Sequence, residues 1–181
     1  ALSSAASDVY KRQKPNRMYR QIRGQAYTRR EYMGGVPANR ISTYNLGNVT
    51  GDFPIVMNLR IKEPCQIRHT ALEAARIAAN RALSKGTTSA SYHLRIRLYP
   101  HIVLREHKMA TGAGADRVSG GMRSAFGKCV GTACRVESGT AIITLRVTPQ
   151  TFQLGKNALW KASMKLPSPC QIEIEKGAEL V

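Results

Sequence analysis

Several segments of the chain alternate apolar and polar residues with the two-residue period of a half-buried strand. Pro54 to Lys62 sets Ile55, Met57, Leu59 and Ile61 on one face and Val56, Asn58, Arg60 and Lys62 on the other. Tyr92 to Leu98 opposes Tyr92, Leu94, Ile96 and Leu98 to His93, Arg95 and Arg97. Pro100 interrupts, as at a bulge or an edge, and His101 to Glu106 resumes extended structure. Gly131 to Val136 and Thr140 to Val147 read as two strands around the turn Glu137-Ser138-Gly139, a hairpin signal. In a closing strand Cys170, Ile172 and Ile174 alternate with Gln171, Glu173 and Glu175, and its acidic face should point away from any polyanion. A short strand is expected near Arg40 to Leu46.

Two segments change to helical spacing. Leu72, Ala75, Ala79, Ala82 and Leu83 recur at that period, and Thr70-Ala71-Leu72-Glu73 before them reads as a capping box. Gly86 supplies the stop. Thr148-Pro149 reads as a cap and first helical position. The helix behind it should run to about Met164 on an apolar face of Phe152, Ala158, Leu159 and Ala162, weakened by Gly155 and ended by Pro167 and Pro169. Strands outnumber helices and the hairpin implies antiparallel pairing. The expected fold class is α+β: a mixed, largely antiparallel sheet carrying two helices on one side.

Two further stretches follow neither period. From Lys14 to Asn48 the chain carries Arg17, Arg20, Arg23, Arg29, Arg30 and Arg40, with Tyr19, Tyr27 and Tyr32 among them and Gly34, Gly35 and Pro37 as breakers. Few of these residues could build a core, so residues 14–48 read as a basic arm that lies on RNA, with solvated loop as the plainer alternative. The second stretch, His107 to Lys128, holds Gly112, Gly114, Gly120, Gly121 and Gly127 beside Lys108, Arg117, Arg123 and Lys128. Loops of this length without structure of their own are uncommon and usually functional or disordered. Glycines let a backbone approach a crowded partner, and the cations can neutralise phosphates.

Charge gives these stretches a partner. Twenty-eight Lys and Arg against eleven Asp and Glu leave +17 on 181 residues, a self-repelling balance that implies a polyanion. Arginines outnumber lysines 18 to 10, which suits bidentate phosphate contacts and stacking on bases. Arg68, Arg76 and Arg81, on and beside the first helix, join the arm as candidate RNA contacts. A membrane-surface protein would concentrate its charge in one amphipathic helix or tail, and here the charge is spread. No stretch approaches the ~20 apolar residues of a membrane span.

The length suits one domain at residues 14–181. Ahead of it, Asp8-Val9-Tyr10-Lys11-Arg12-Gln13 reads like the translated end of a sequencing-library transposon, so residues 1–13 are expected to be a non-native or disordered leader.

Other chemistries fit poorly. Cys65, Cys129, Cys134 and Cys170 form no CxxC pair, so reduced thiols are expected. Cys129 and Cys134 with His107 or His101 would make an incomplete zinc set at an unusual spacing, and no metal is expected. Gly112 to Arg117 starts like GxGxxG but ends in arginine. Gly121 to Cys129 has five residues before Gly127-Lys128 where a phosphate loop needs four, and Cys129 stands where that loop has Ser or Thr. Without a catalytic triad, paired carboxylates or HExxH, no enzyme, cofactor or small-molecule substrate is expected.

Particular runs then resemble one family. They are Arg17-Met18-Tyr19-Arg20-Gln21-Ile22; Tyr27-Thr28-Arg29-Arg30-Glu31-Tyr32 with Gly35-Val36-Pro37; and Gly114-Ala115-Asp116-Arg117 through Gly121-Met122-Arg123 to Ala125-Phe126-Gly127-Lys128. The helix Ala71 to Arg81 and Tyr92-His93-Leu94-Arg95 through Tyr99-Pro100 belong with them. Together they are similar to the universal large-subunit ribosomal protein L-sixteen family, in its archaeal and eukaryotic L-ten-e branch, from about Lys14 to Glu175. The resemblance implies an α/β-hammerhead type of α+β fold and a cytoplasmic, ribosomal location. It implies binding to large-subunit ribosomal RNA, with other ribosomal proteins and assembly factors as further partners. It also implies that the loop reaches the tRNA acceptor ends near the peptidyl transferase centre, bringing Gly112, Gly114, Asp116, Arg117, Gly121, Arg123 and Gly127 there. Lys108 and Lys128 would flank it on the RNA. The helix around Phe152 to Gly155 is less charged than the family's pattern, and the chain ends at Val181 without the longer eukaryotic tail, which points to the archaeal type. A stand-alone binder of single-stranded nucleic acid is the alternative: it accounts for charge and tyrosines but not for the glycine loop.

Overall fold

The computed structural model describes residues 17–110 and 112–180, and the expected leader at 1–13 lies outside them. In chain order the strands are β1 (Asn45–Gly47), β2 (Ile55–Ile61), β3 (Cys65–Arg68), β4 (Tyr92–Ile96), β5 (Ile102–Glu106), β6 (Lys128–Val136), β7 (Ala141–Val147) and β8 (Cys170–Lys176). The helices are α1 (Arg17–Arg20), α2 (His69–Ser84), α3 (Ala115–Val118) and α4 (Phe152–Ser163). The fold is α+β as expected, with antiparallel strands in two sheets ordered β1-β4-β7-β2-β8 and β3-β6-β5.

The hairpin expected between Gly131–Val136 and Thr140–Val147 does not form. Its turn does, with the Thr140 N–H donating to Glu137 O at 3.2 Å. That turn passes the chain from the small sheet to the large one: Val136 lies opposite Cys65 of β3, whereas Ala141 lies opposite Arg60 of β2. The burial of β7 explains the choice. Ile142 and Ile143 are both fully buried, so the strand has apolar side chains on both faces. It takes the centre of the larger sheet, between β4 and β2. A turn is local, whereas pairing follows the faces that must be covered.

The capping box is also corrected. α2 begins at His69, behind Arg68 in extended conformation, and no side chain caps it. Thr70 therefore lies inside the first turn, and Glu73 receives two hydrogen bonds from Arg76, at 2.5 and 2.8 Å. The expected apolar stripe is intact: Leu72, Ala75, Ala79, Ala82 and Leu83 are all buried.

α4 opens through a 3-10 turn, Pro149–Thr151, and lies against β7, β8 and β2, while α2 packs on α4 and reaches β3 and β6. Gly155 is the point of close approach. A Cβ there would sit 2.6 Å from Met57 Cε and 3.2 Å from Leu145 Cδ2. The residue expected to weaken α4 is the one that lets the helix settle on the sheet. Ile55, Met57, Leu59, Leu94, Leu145 and Leu159 are fully buried between these layers, each contributing about 1.5–3 kcal/mol of burial free energy.

Candidate nucleic-acid interface

The arm is held by its backbone. The strand expected over Arg40 to Leu46 is only β1, and the chain before it lies on the smaller sheet. Gln66 Nε2 donates to Tyr19 O at 3.0 Å, and the Val103 N–H to Tyr27 O at 3.0 Å. The Arg135 guanidinium spans three arm carbonyls, Gly24 at 2.9 Å and Arg23 and Gln25 at 3.3 Å. Nearer β1, the Arg40 N–H donates to His69 Nδ1 at 2.8 Å. That bond needs an unprotonated Nδ1, and burial, aided by Arg68 and Arg40, lowers the His69 pKa. Because the fold grips carbonyls and amides, four of the arm's arginines stay outward: Arg23, Arg29, Arg30 and Arg40 are all exposed.

Two expected contacts are ion-paired within the protein. Arg20 pairs with Glu63, and Arg76 with Glu73, which that bond holds below the ordinary carboxylate range. Arg68 stacks its guanidinium 4.3 Å over the Tyr19 ring. Arg81 is exposed on α2, where Lys85, Lys161 and Lys165 join it around an exposed Trp160. The backbone of Arg17 opens α1.

The inserted stretch is not the structureless loop that the sequence suggests. Ala115–Val118 makes one helical turn, α3, which includes the backbone of Asp116 and the exposed Arg117. His107 Nε2 lies 2.9 Å from Gly121 O and ties the far limb back to the start. Gly112, Gly114 and Gly121 have φ of +120°, +76° and +58°, values that L side chains rarely adopt. At the base a Cβ on Gly127 would lie 2.6 Å from the Glu106 carbonyl carbon, so the limbs close only around glycine. Arg117, Arg123, Lys108 and Lys128 are exposed, as are Val118, Met122 and Phe126.

Arm and loop meet at Arg105, which sequence reasoning did not single out. Its guanidinium lies 4.3 Å from the Tyr27 ring and 3.7 Å from the Phe126 ring, and the rings are edge-to-face at 6.4 Å. Cation–π contact thus joins the arm to the loop's C-terminal limb. Nothing local in the sequence marks Arg105 or Arg135, since Phe126 lies 21 residues from Arg105, Tyr27 lies 78 away, and the arm carbonyls lie 110 to 112 residues from Arg135.

The thiols are reduced, and the zinc set considered above is not assembled. Cys134 is buried against Ile67 O and pushed up to about 12 by that burial, whereas Cys129 faces Met33 O. Among the described residues no cluster of His, Cys, Asp or Glu could hold a metal ion, and no helix is long and apolar enough to cross a membrane.

A backbone-held arm, a tied glycine loop and outward arginines define a cationic RNA-binding scaffold. Residues 22–173 match the family model described as ribosomal protein L16p/L10e. The chain is 55% identical to the large ribosomal subunit protein uL16 of Methanocella arvoryzae, over 93% of this chain and 98% of that one. It is 57% identical to the uL16 of Picrophilus torridus over 92% and 95%. With the uL16 of Archaeoglobus fulgidus it shares 50% identity over 93% and 96%. The chain belongs to the L16p/L10e family of ribosomal proteins, structural components rather than enzymes, and is of the archaeal type.

Proposed function

We propose that the protein is a structural constituent of the large subunit of the cytoplasmic ribosome, anchored on large-subunit ribosomal RNA by its arm. The carrying observation is the division within that arm: the fold holds its backbone, while Arg23, Arg29, Arg30 and Arg40 face outward. Arg17, Arg20, Arg68, Arg76, Arg81, Lys108 and Lys128 complete the RNA-facing set. Arg20, Arg68 and Arg76 reach RNA only by sharing or exchanging their present partners.

The loop takes the second role, beside the tRNA acceptor end near the peptidyl transferase centre. Gly112, Gly114, Gly121 and Gly127 shape its backbone, and Asp116, Arg117 and Arg123 are its polar groups. Other ribosomal proteins and subunit assembly factors are the further partners, in translation and late subunit assembly. The support is the family, together with a loop that carries exposed cations and apolar groups on a closed base.

Affinity for large-subunit RNA, measured against salt, tests the anchoring. If arm, helix and loop neutralise about eight phosphates, the log–log slope is on the order of −6 to −7. A slope shallower than about −2 overturns it. Co-sedimentation separates this reading from a stand-alone binder of single-stranded nucleic acid, which would not travel with large subunits at moderate salt.

A further inference from the structure

The larger sheet has a second face. Met57 and Leu145 turn toward α4, so their alternating neighbours Val56, Asn58, Thr144 and Arg146 point the other way, as do His93 and Arg95 of β4, with Arg97 just past the strand lining the same side. The register aligns His93 with Arg146, Arg146 with Val56, and Val56 with Lys176. The next row runs Arg95, Thr144, Asn58. The turn at Gly51 to Pro54 walls one side and leaves a cavity of about 510 Å³.

The middle of this face is already satisfied. Thr144 Oγ1 donates to Asn58 Oδ1 at 2.7 Å, and Asn58 Nδ2 donates to Glu175 Oε2 at 2.8 Å. His93 is not. It is 5% exposed, it lines the cavity, and neither ring nitrogen has a hydrogen-bond partner. Buried polar groups are ordinarily paired, so a ring left open at a cavity marks a place for a ligand atom. Arg95, Arg97, Arg146 and Lys176 share the lining with two carboxylates, Asp52 and Glu175, the latter engaged by Asn58. Among the described residues the ion pairs involve Arg20, Arg60 and Arg76, which leaves these three arginines out.

We propose that this cavity is an additional RNA contact that takes a backbone phosphate between Arg95, Arg97 and Arg146, with a His93 ring N–H donating to it from the floor. Guanidinium groups suit tetrahedral oxyanions because they donate in pairs. Burial first, then Arg146 and Arg95, lowers the His93 pKa, so the ring is a neutral donor until an anion enters. The proposal rests on the ribosomal reading for the source of the phosphate. It adds a second face of contact, apart from the arm and the loop.

Nuclear magnetic resonance of the full chain with ¹⁵N-labelled histidine tests it. Inorganic phosphate should shift the His93 ring signals and raise the pH at which they titrate, leaving His101 unmoved. A mixed-sequence RNA oligonucleotide should displace the phosphate. Arg146→Gln should weaken phosphate binding about tenfold, the loss of one charge-assisted bond. It should also make the salt slope for RNA shallower by about one. Should Arg146→Gln fail to fold, Arg95→Gln, at an exposed strand position, gives the same readout. No shift with either probe overturns the site. A phosphate shift that RNA cannot displace overturns the RNA assignment in favour of a free-anion site. The ribosomal reading fails separately, if the wild-type protein is absent from large subunits whatever His93 reports.

Discussion

Leu145 and Phe126 are both large apolar residues, and the molecule treats them in opposite ways. Leu145 is fully buried at the centre of the larger sheet, with β4 and β2 on either side and α4 across it. Phe126 is 70% exposed at the end of the inserted loop, and Met122 and Val118 of the same loop are 74% and 82% exposed. Within the core each apolar group is covered by others of the same chain. The loop leaves its apolar groups and cations facing out together, tied by the His107–Gly121 contact and the Arg105 stack. A segment so sparsely held cannot offset the entropy of a single conformation by itself. In the free protein it is therefore expected to be far more mobile than the core.

Hydrogen exchange should show the contrast at its largest. β2 is paired on both edges, with β7 and β8, so its amides should open only with global unfolding. Amides from Gly112 to Phe126 should exchange nearly as in free peptide. For a domain of ordinary stability the two regions then differ by roughly four orders of magnitude or more. Strong protection of the loop in the RNA-free protein would erase the distinction.

Substitution should give a smaller but directional difference. Leu145→Ala empties space under Gly155 and should cost about 2–5 kcal/mol in urea unfolding. Phe126→Ala removes the stack on Arg105 and the edge contact to Tyr27, which at this exposure contribute about 1 kcal/mol or less. Equal losses would mean that the loop belongs to the cooperative unit.

How much of this the sequence discloses depends on the range of the interactions. β2 and β8 are legible because their alternation is local, and α2 because its alanine and leucine stripe is. The cap is misread because Thr70 and Glu73 have the right spacing two positions too late, and Arg76 claims Glu73. The β6–β7 pairing is misread because Glu137-Ser138-Gly139 signals a turn, and a turn carries no information about which sheet follows. That error conceals the cavity as well. His93, Arg95 and Arg97 are visible as one strand face, but Arg146 joins them only once β7 is paired with β4. The arm and loop are found by charge and glycines, yet Arg105 and Arg135 act on residues too far along the chain for any spacing rule.

The smallest effect on the fold should accompany the most informative one on function. Arg117 and Arg123 are exposed loop residues, and neither belongs to the ion pairs among the described residues. Replacing both with alanine should change stability by less than about 0.5 kcal/mol. If the arm anchors and the loop serves tRNA, the doubly substituted protein should still be present in purified large subunits, and those subunits should bind or accommodate tRNA poorly. Alanine at Arg29 and Arg30 should do the reverse, lowering occupancy in proportion to the lost phosphate contacts. Each variant is scored twice, by the protein content of the subunits and by their tRNA binding. Loss of the loop variant from subunits would make the loop an anchor like the arm. Full occupancy with unchanged tRNA binding would leave the loop's cations without the role assigned to them, and the contrast between the two regions would then be one of stability alone.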